Sequence, residues 1–243
     1  MSDASTPNSS VSRRRFWQVG ACALGASLGG WGVWEAAKRS SQTTASPVIP
    51  AKATDYTPTE VMDLLTRGNE RFTQGNMRAP NRNLERLKEV ATQQAPFAAF
   101  LGCADSRVPI EIVFDQGFGD LFVTRIAGNV ANPEIIGSLE FGTAILGAKV
   151  LFVLGHTSCG AVGAAMRGEE VPGQISTLFQ HLRPAVRPAR GDVAQAIREN
   201  VRHQANLVAE SSPVIARLVR EGRLRVAGGV YDLQSGRVEP VDL

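Results

Sequence analysis

Five residues hold most of the reactive chemistry in this chain. Cys103, Asp105 and Arg107 fall within Cys-Ala-Asp-Ser-Arg, and His156 and Cys159 fall within His-Thr-Ser-Cys-Gly. Two thiols, an imidazole and a carboxylate make a donor set that suits tetrahedral zinc, and zinc would keep both sulfurs as thiolates. The same two cysteines also admit a disulfide in an exported protein, or plain burial as thiols. Asp105 and Arg107 can form a two-pronged, charge-assisted pair. That pair serves either to hold the carboxylate away from a metal or to stabilise a loop. Neither half-motif is specific alone; their weight comes from what precedes each.

What precedes each is a strand signal. Phe97–Leu101 is a continuous apolar run ending in Gly102-Cys103, and Val150–Leu154 is another, ending in Gly155-His156. Between them Leu121–Ile126 ends in Ala127-Gly128-Asn129, and Glu134–Leu146 shows helical spacing. Continuous apolar runs separated by helices predict buried parallel strands with right-handed crossovers. The fold class is therefore α/β, a mainly parallel central sheet flanked by helices. Ligands of such sheets bind beyond the carboxyl ends of the strands, where Cys103 and His156 stand.

Upstream, Thr57-Pro58-Thr59-Glu60 predicts a helix start with a capping box and Pro at the first position. Val61, Leu64, Leu65 and Phe72 supply its apolar stripe, and Leu84, Leu87 and Val90 mark a second helix. Downstream, residues 174–221 read as helical with interruptions at Pro184, Pro188 and Pro213. Leu224–Asp232 and Arg237–Val241 then form a closing strand and hairpin. His181 and His203 lie in that helical region without ligand-spaced partners, and Arg217 to Arg225 reads as a solvated helix face.

Composition narrows the function class. The chain has 243 residues, 43% hydrophobic and 20% charged, which excludes a disordered or fibrous protein. No apolar run of about 18 residues occurs past the first fifth, which excludes a multi-span membrane protein. Lys and Arg number 26 against 23 Asp and Glu, but residues 1–50 hold five basic and two acidic residues, leaving 21 of each in the other 193. The body is neutral, so no nucleic-acid partner is expected.

The excess charge belongs to an address. Ser12-Arg13-Arg14-Arg15-Phe16-Trp17 precedes a Gly/Ala-rich apolar run from Val19 to Trp34, the layout of an export signal. Its Ser-Arg-Arg-x-Phe core resembles a twin-arginine signal, with Trp17-Gln18 departing from the usual pattern. Residues 1–39 are thus expected to be an export signal or uncleaved membrane tether, 40–56 a flexible linker and 57–243 the catalytic domain. The expected location is the periplasm.

Cys103-Ala-Asp-Ser-Arg-Val-Pro and Gly155-His156-Thr-Ser-Cys159-Gly-Ala-Val together resemble the two signatures of β-class carbonic anhydrases, and Asp115 to Asn129 also resembles that family. The resemblance spans most of residues 57–240. It implies reversible hydration of CO2 to bicarbonate by zinc-bound hydroxide, one Zn2+ per chain, and a homodimer or higher homo-oligomer. By the same resemblance Cys103, His156 and Cys159 match the fixed zinc ligands. Asp105 either pairs with Arg107 or swings onto the metal. Gln94, Phe122, Phe141 and Gly160 match substrate-pocket positions of the plant-type subgroup, although each phenylalanine serves equally well as core. Another subgroup builds a regulatory bicarbonate site on a tryptophan three residues before the first cysteine; Phe100 stands there, so no such site is expected and the enzyme should be open at neutral pH. The alternatives on this scaffold are a COS/CS2 hydrolase, a non-catalytic zinc-binding protein or a redox dithiol protein.

Overall fold

The computed structural model describes Tyr56–Leu243. The expected signal, and the linker up to residue 55, lie outside the described residues. The chain enters through α1 (Pro58–Thr73), which opens on the expected box: Glu60 N–H donates to Thr57 Oγ1 at 3.3 Å, and the Thr57 N–H donates back to the Glu60 carboxylate at 2.7 Å. α1 buries Val61 and Leu65. α2 (Leu84–Glu89) is capped by Asn83 but buries none of its residues, and Leu84 and Leu87 are exposed.

Five strands follow the expected runs: β1 (Ala98–Gly102), β2 (Leu121–Arg125), β3 (Val150–His156), β4 (Arg225–Tyr231) and β5 (Val238–Val241). Their order is β2-β1-β3-β4-β5, with the first four parallel and β5 antiparallel to β4. β1 and β3 are buried along their whole length, which is why they read as unbroken apolar runs rather than alternating ones. Alternate residues feed two cores. Ala99, Leu101, Leu151 and Val153 join Leu139, Val162, Leu182, Val201 and Val208 on one face. Phe100, Phe152 and Leu154 join Val61, Leu65 and Phe114 on the other, where Phe100 stacks on Phe152 at 5.4 Å.

The crossovers are α3 (Ile110–Val113), α4 (Pro133–Glu140), α5 (Gly160–Arg167), α6 (Ser176–Val186), α7 (Val193–Ser211) and α8 (Pro213–Arg220). Two expectations need correction. The helix expected over 134–146 passes at Phe141–Ile145 into a π turn, in which Leu146 N–H reaches back to the Phe141 carbonyl at 3.0 Å. Pro184 does not interrupt its helix but sits inside α6, although proline lacks the N–H that would bond the carbonyl four residues back. Among the described residues no helix is long and apolar enough to cross a membrane.

Candidate metal centre

β1 and β3 are neighbours in register, with Gly102 opposite Leu154. Cys103 therefore emerges level with Gly155, and His156 one residue further on. The loop after β1 is pinned by Arg125, whose Nε donates to the Cys103 carbonyl at 2.8 Å and whose Nη2 donates to the Asp105 carbonyl at 2.5 Å. Beyond β3, Thr157 N–H donates to the Tyr231 carbonyl at 2.9 Å, and the Thr157 hydroxyl accepts from Leu233 N–H at 3.0 Å. The chain then turns through Ser158 at φ +56° and delivers Cys159 to the N-terminal end of α5. N–H groups of Ala161 and Val162 face its sulfur there.

These turns bring one ligand atom each from Cys103, His156 and Cys159 within 4.8 Å of one another, all from buried residues. His156 Nδ1 lies 2.9 Å from the Thr157 carbonyl. A carbonyl only accepts, so Nδ1 of the neutral ring carries the proton and Nε2 keeps its lone pair. Nε2 is buried and has no hydrogen-bond partner, a state that costs about 1–3 kcal/mol. The thiols are unequally placed. The Cys103 thiol is pulled well below the ordinary range, first by the hydrogen bond from Cys159 and then, against burial, by the N–H groups of Asp105 and Gly128. Cys159, as donor to that sulfur and buried beside it, is pushed up. A soft cation resolves both problems, because it replaces the shared proton and occupies the orphaned lone pair. The residues present fit zinc.

Asp105 stands at the edge of this cluster with its carboxylate turned to Arg107. Nε and Nη2 of Arg107 donate to its two oxygens at 2.9 and 2.8 Å, and Arg107 N–H adds a third bond at 2.9 Å. Asp105 Oδ2 remains 3.8 Å from His156 Nε2. The Arg107 side chain, ahead of the opposing effect of burial, holds the Asp105 carboxyl well below the usual carboxylate range. The sequence places Asp105 among the metal ligands as well; here it adjoins the three-donor cluster while bound to Arg107.

The carbonic anhydrase family profile matches residues 98–238. Carbonic anhydrase 2 of Mycobacterium tuberculosis is 35% identical over 188 residues, covering 74% of this chain and 91% of that protein. The carbonic anhydrase of Mycolicibacterium smegmatis is 35% identical over 190 residues, covering 75% and 92%. The chain belongs to the carbonic anhydrase family. Among solved structures, the β-carbonic anhydrase CafA of Aspergillus fumigatus superposes with a TM-score of 0.61 at 28% identity, covering 65% of this chain and 81% of that one.

The four positions expected from the sequence to line a pocket divide into two groups. Gly160 is the first residue of α5, next to Cys159, and a Cβ there would meet nothing within 4 Å. Phe122 pairs in register with Ala99 near the start of β1, and its ring lies 6.2 Å from that of Phe141. Gln94 is exposed on the loop before β1, the opposite end of that strand from Cys103. One chain thus gathers Cys103, Asp105, Arg107, His156, Cys159 and Gly160 at the carboxyl end, and Gln94, Phe122 and Phe141 toward the amino end. His181 and His203 are half-buried on α6 and α7, and burial lowers the His203 pKa.

Sequence reasoning missed Arg125, Thr157 and Gly128 as supports of the site. Gly128 N–H donates to Cys103 Sγ at 3.3 Å from a left-handed backbone, φ +73°. Its glycine identity, shortly after a strand, was the available signal.

Proposed function

We propose that this chain catalyses the reversible hydration of CO2 to bicarbonate and a proton, with one Zn2+ per chain held by Cys103, His156 and Cys159. The observation that carries this reading is the buried Cys-His-Cys cluster with an orphaned imidazole nitrogen, beside a carboxylate gripped by its own arginine. When bound, zinc supplies the Lewis acidity that makes water a nucleophile near neutral pH. Asp105, ionised by its contact with Arg107, accepts a hydrogen bond from the attacking water and turns a lone pair toward CO2. Arg107 keeps that carboxylate clear of the metal position. The backbone N–H of Gly160, at the start of α5, is offered to the bicarbonate oxygens, and apolar walls receive CO2, which has no net dipole to be gripped.

A homodimer or higher homo-oligomer completes the pocket in this reading. Gln94, Phe122 and half-exposed Phe141 lie on one end and one edge of the sheet, so a second copy related by two-fold symmetry offers them to the first copy's cluster. Phe100 stands where the regulatory subgroup carries a tryptophan, three residues before Cys103, which favours a plant-type enzyme without the regulatory bicarbonate site. The Ser12–Trp17 pattern supports twin-arginine export to the periplasm, with a membrane tether if the apolar run stays uncleaved.

CO2 hydration and COS and CS2 hydrolysis, measured side by side on one zinc-quantified preparation, test the substrate. Fast CO2 hydration with slow COS and CS2 turnover supports the reading, and the reverse order replaces it with the hydrolase. Replacing Arg13 and Arg14 by Lys should retain the protein in the cytoplasm; unchanged fractionation would refute twin-arginine export.

A further inference from the structure

Helix α7 lays two amides against the wall behind the metal cluster. Asn200 and Gln204 are 1% and 0% exposed and stand one turn apart, on the face that otherwise carries Ile197, Val201, Ala205 and Val208. Apolar side chains would fill that face at less risk, since a buried amide without partners costs about 1–3 kcal/mol. These amides have partners, and the partners share a destination. Asn200 Nδ2 donates to the Gly128 carbonyl at 2.8 Å. Gln204 Nε2 donates to Asn200 Oδ1 and to the His181 carbonyl, each at 3.0 Å. Gln204 Oε1 accepts from Ala131 N–H at 2.8 Å.

The pair therefore brackets the segment from Gly128 to Ala131. That segment needs holding. Gly128 and Asn129 follow each other at φ +73° and +43°, and a left-handed conformation costs a non-glycine residue about 1–2 kcal/mol. The strained turn donates a hydrogen bond to the site, from Gly128 N–H to Cys103 Sγ. α7 reaches this position because glycines let it approach the sheet, a Cβ at Gly155 or Gly228 falling 2.6 Å from Val201.

The geometry points to Asn200 and Gln204 as positioning residues for the metal centre. They fix Gly128 so that its N–H stays on the Cys103 sulfur, and thereby set how tightly the cluster holds zinc. The inference rests on the zinc reading above. Its physical basis is that outer hydrogen bonds orient metal ligands and spread the charge of a thiolate, and their loss typically weakens metal binding about 10–100-fold.

The test uses the full chain at fixed pH. Zinc affinity is measured by chelator competition, and the thiolate-to-metal absorption band is recorded with cobalt in place of zinc. Two variants break the relay. Asn200→Ala removes the bond to Gly128; Gln204→Met, similar in volume, removes the bonds to Asn200, His181 and Ala131 without burying a charge, and decides the matter if the first does not fold. Val208→Ala, buried on the same helix two turns beyond Asn200, controls for stability alone. Zinc affinity should fall about tenfold or more in both relay variants, with a shifted cobalt band, while Val208→Ala melts earlier with parental affinity and spectrum. Relay variants that melt earlier yet keep parental zinc affinity and cobalt band would overturn the inference. A parent chain that binds no zinc would overturn the zinc reading itself, and this inference with it.

Discussion

Arg107 grips both carboxylate oxygens of Asp105, at 2.9 and 2.8 Å, while the nearer of those oxygens stays 3.8 Å from the orphaned Nε2 of His156. One arginine thus decides which of two neighbours the carboxylate serves. Replacing Arg107 by Ala frees Asp105 to turn toward the metal position. We expect CO2 hydration at pH 7.5 to fall by at least about 100-fold, the scale of a lost acid–base contribution, with zinc content unchanged. Arg107→Lys keeps the charge but not the fork and should fall between the two. Stopped-flow hydration rates with metal analysis on each variant check this.

Gly128 offers a backbone test. A Cβ there would lie 3.2 Å from Leu182 and 3.3 Å from Ala161, at φ +73°. Gly128→Ala should cost about 1–3 kcal/mol in chemical denaturation, from the left-handed conformation and the crowding together.

Asp115 predicts a pH dependence. Burial pushes its carboxyl up, but the Arg78 N–H, the Arg71 guanidinium and the Ala79 N–H together outweigh it and leave the group below the usual carboxylate range. A depressed carboxyl contributes stability that is complete above its unfolded value, near 3.9, and is lost as pH falls through the lower folded value. Asp115→Asn should therefore cost about 2–4 kcal/mol at pH 7, the scale of breaking a buried pair. The gap between parent and variant should narrow below about pH 4. Urea melts of both proteins at pH 7 and at successively lower pH measure it.

Removing the metal gives a fourth expectation. A ligand that binds only the folded state at about 1,000 times its dissociation constant adds about 4 kcal/mol. Chelator-stripped protein should melt at a lower temperature and regain its parental melting point when zinc is restored. His156→Ala, lacking one donor, should show little zinc-dependent shift.

Much of the scaffold was legible because its signals are local. Thr57, Pro58 and Glu60 announce the first helix through capping chemistry, and the runs ending at Gly102 and Gly155 announce strands because both faces of β1 and β3 are buried. Cys103 and His156 followed from those strand ends. Other features depend on partners far along the chain. Pro184 sits inside α6 although its residue type signals a break, and Phe141 enters a π turn that no spacing marks. Asn200 and Gln204 left a faint trace as polar residues in the apolar phase of α7, but only the fold shows that they reach Gly128. The positions matched by resemblance divide between the two ends of the sheet, a separation that shows only once the strands are placed.

The most direct test of the central claim is stopped-flow CO2 hydration by the purified full chain, with zinc quantified and Asp105→Ala run in parallel. Our account predicts about one zinc per chain and fast hydration near neutral pH, largely lost in the variant although its zinc is retained. A parent chain carrying its zinc and failing to hydrate CO2 would contradict it.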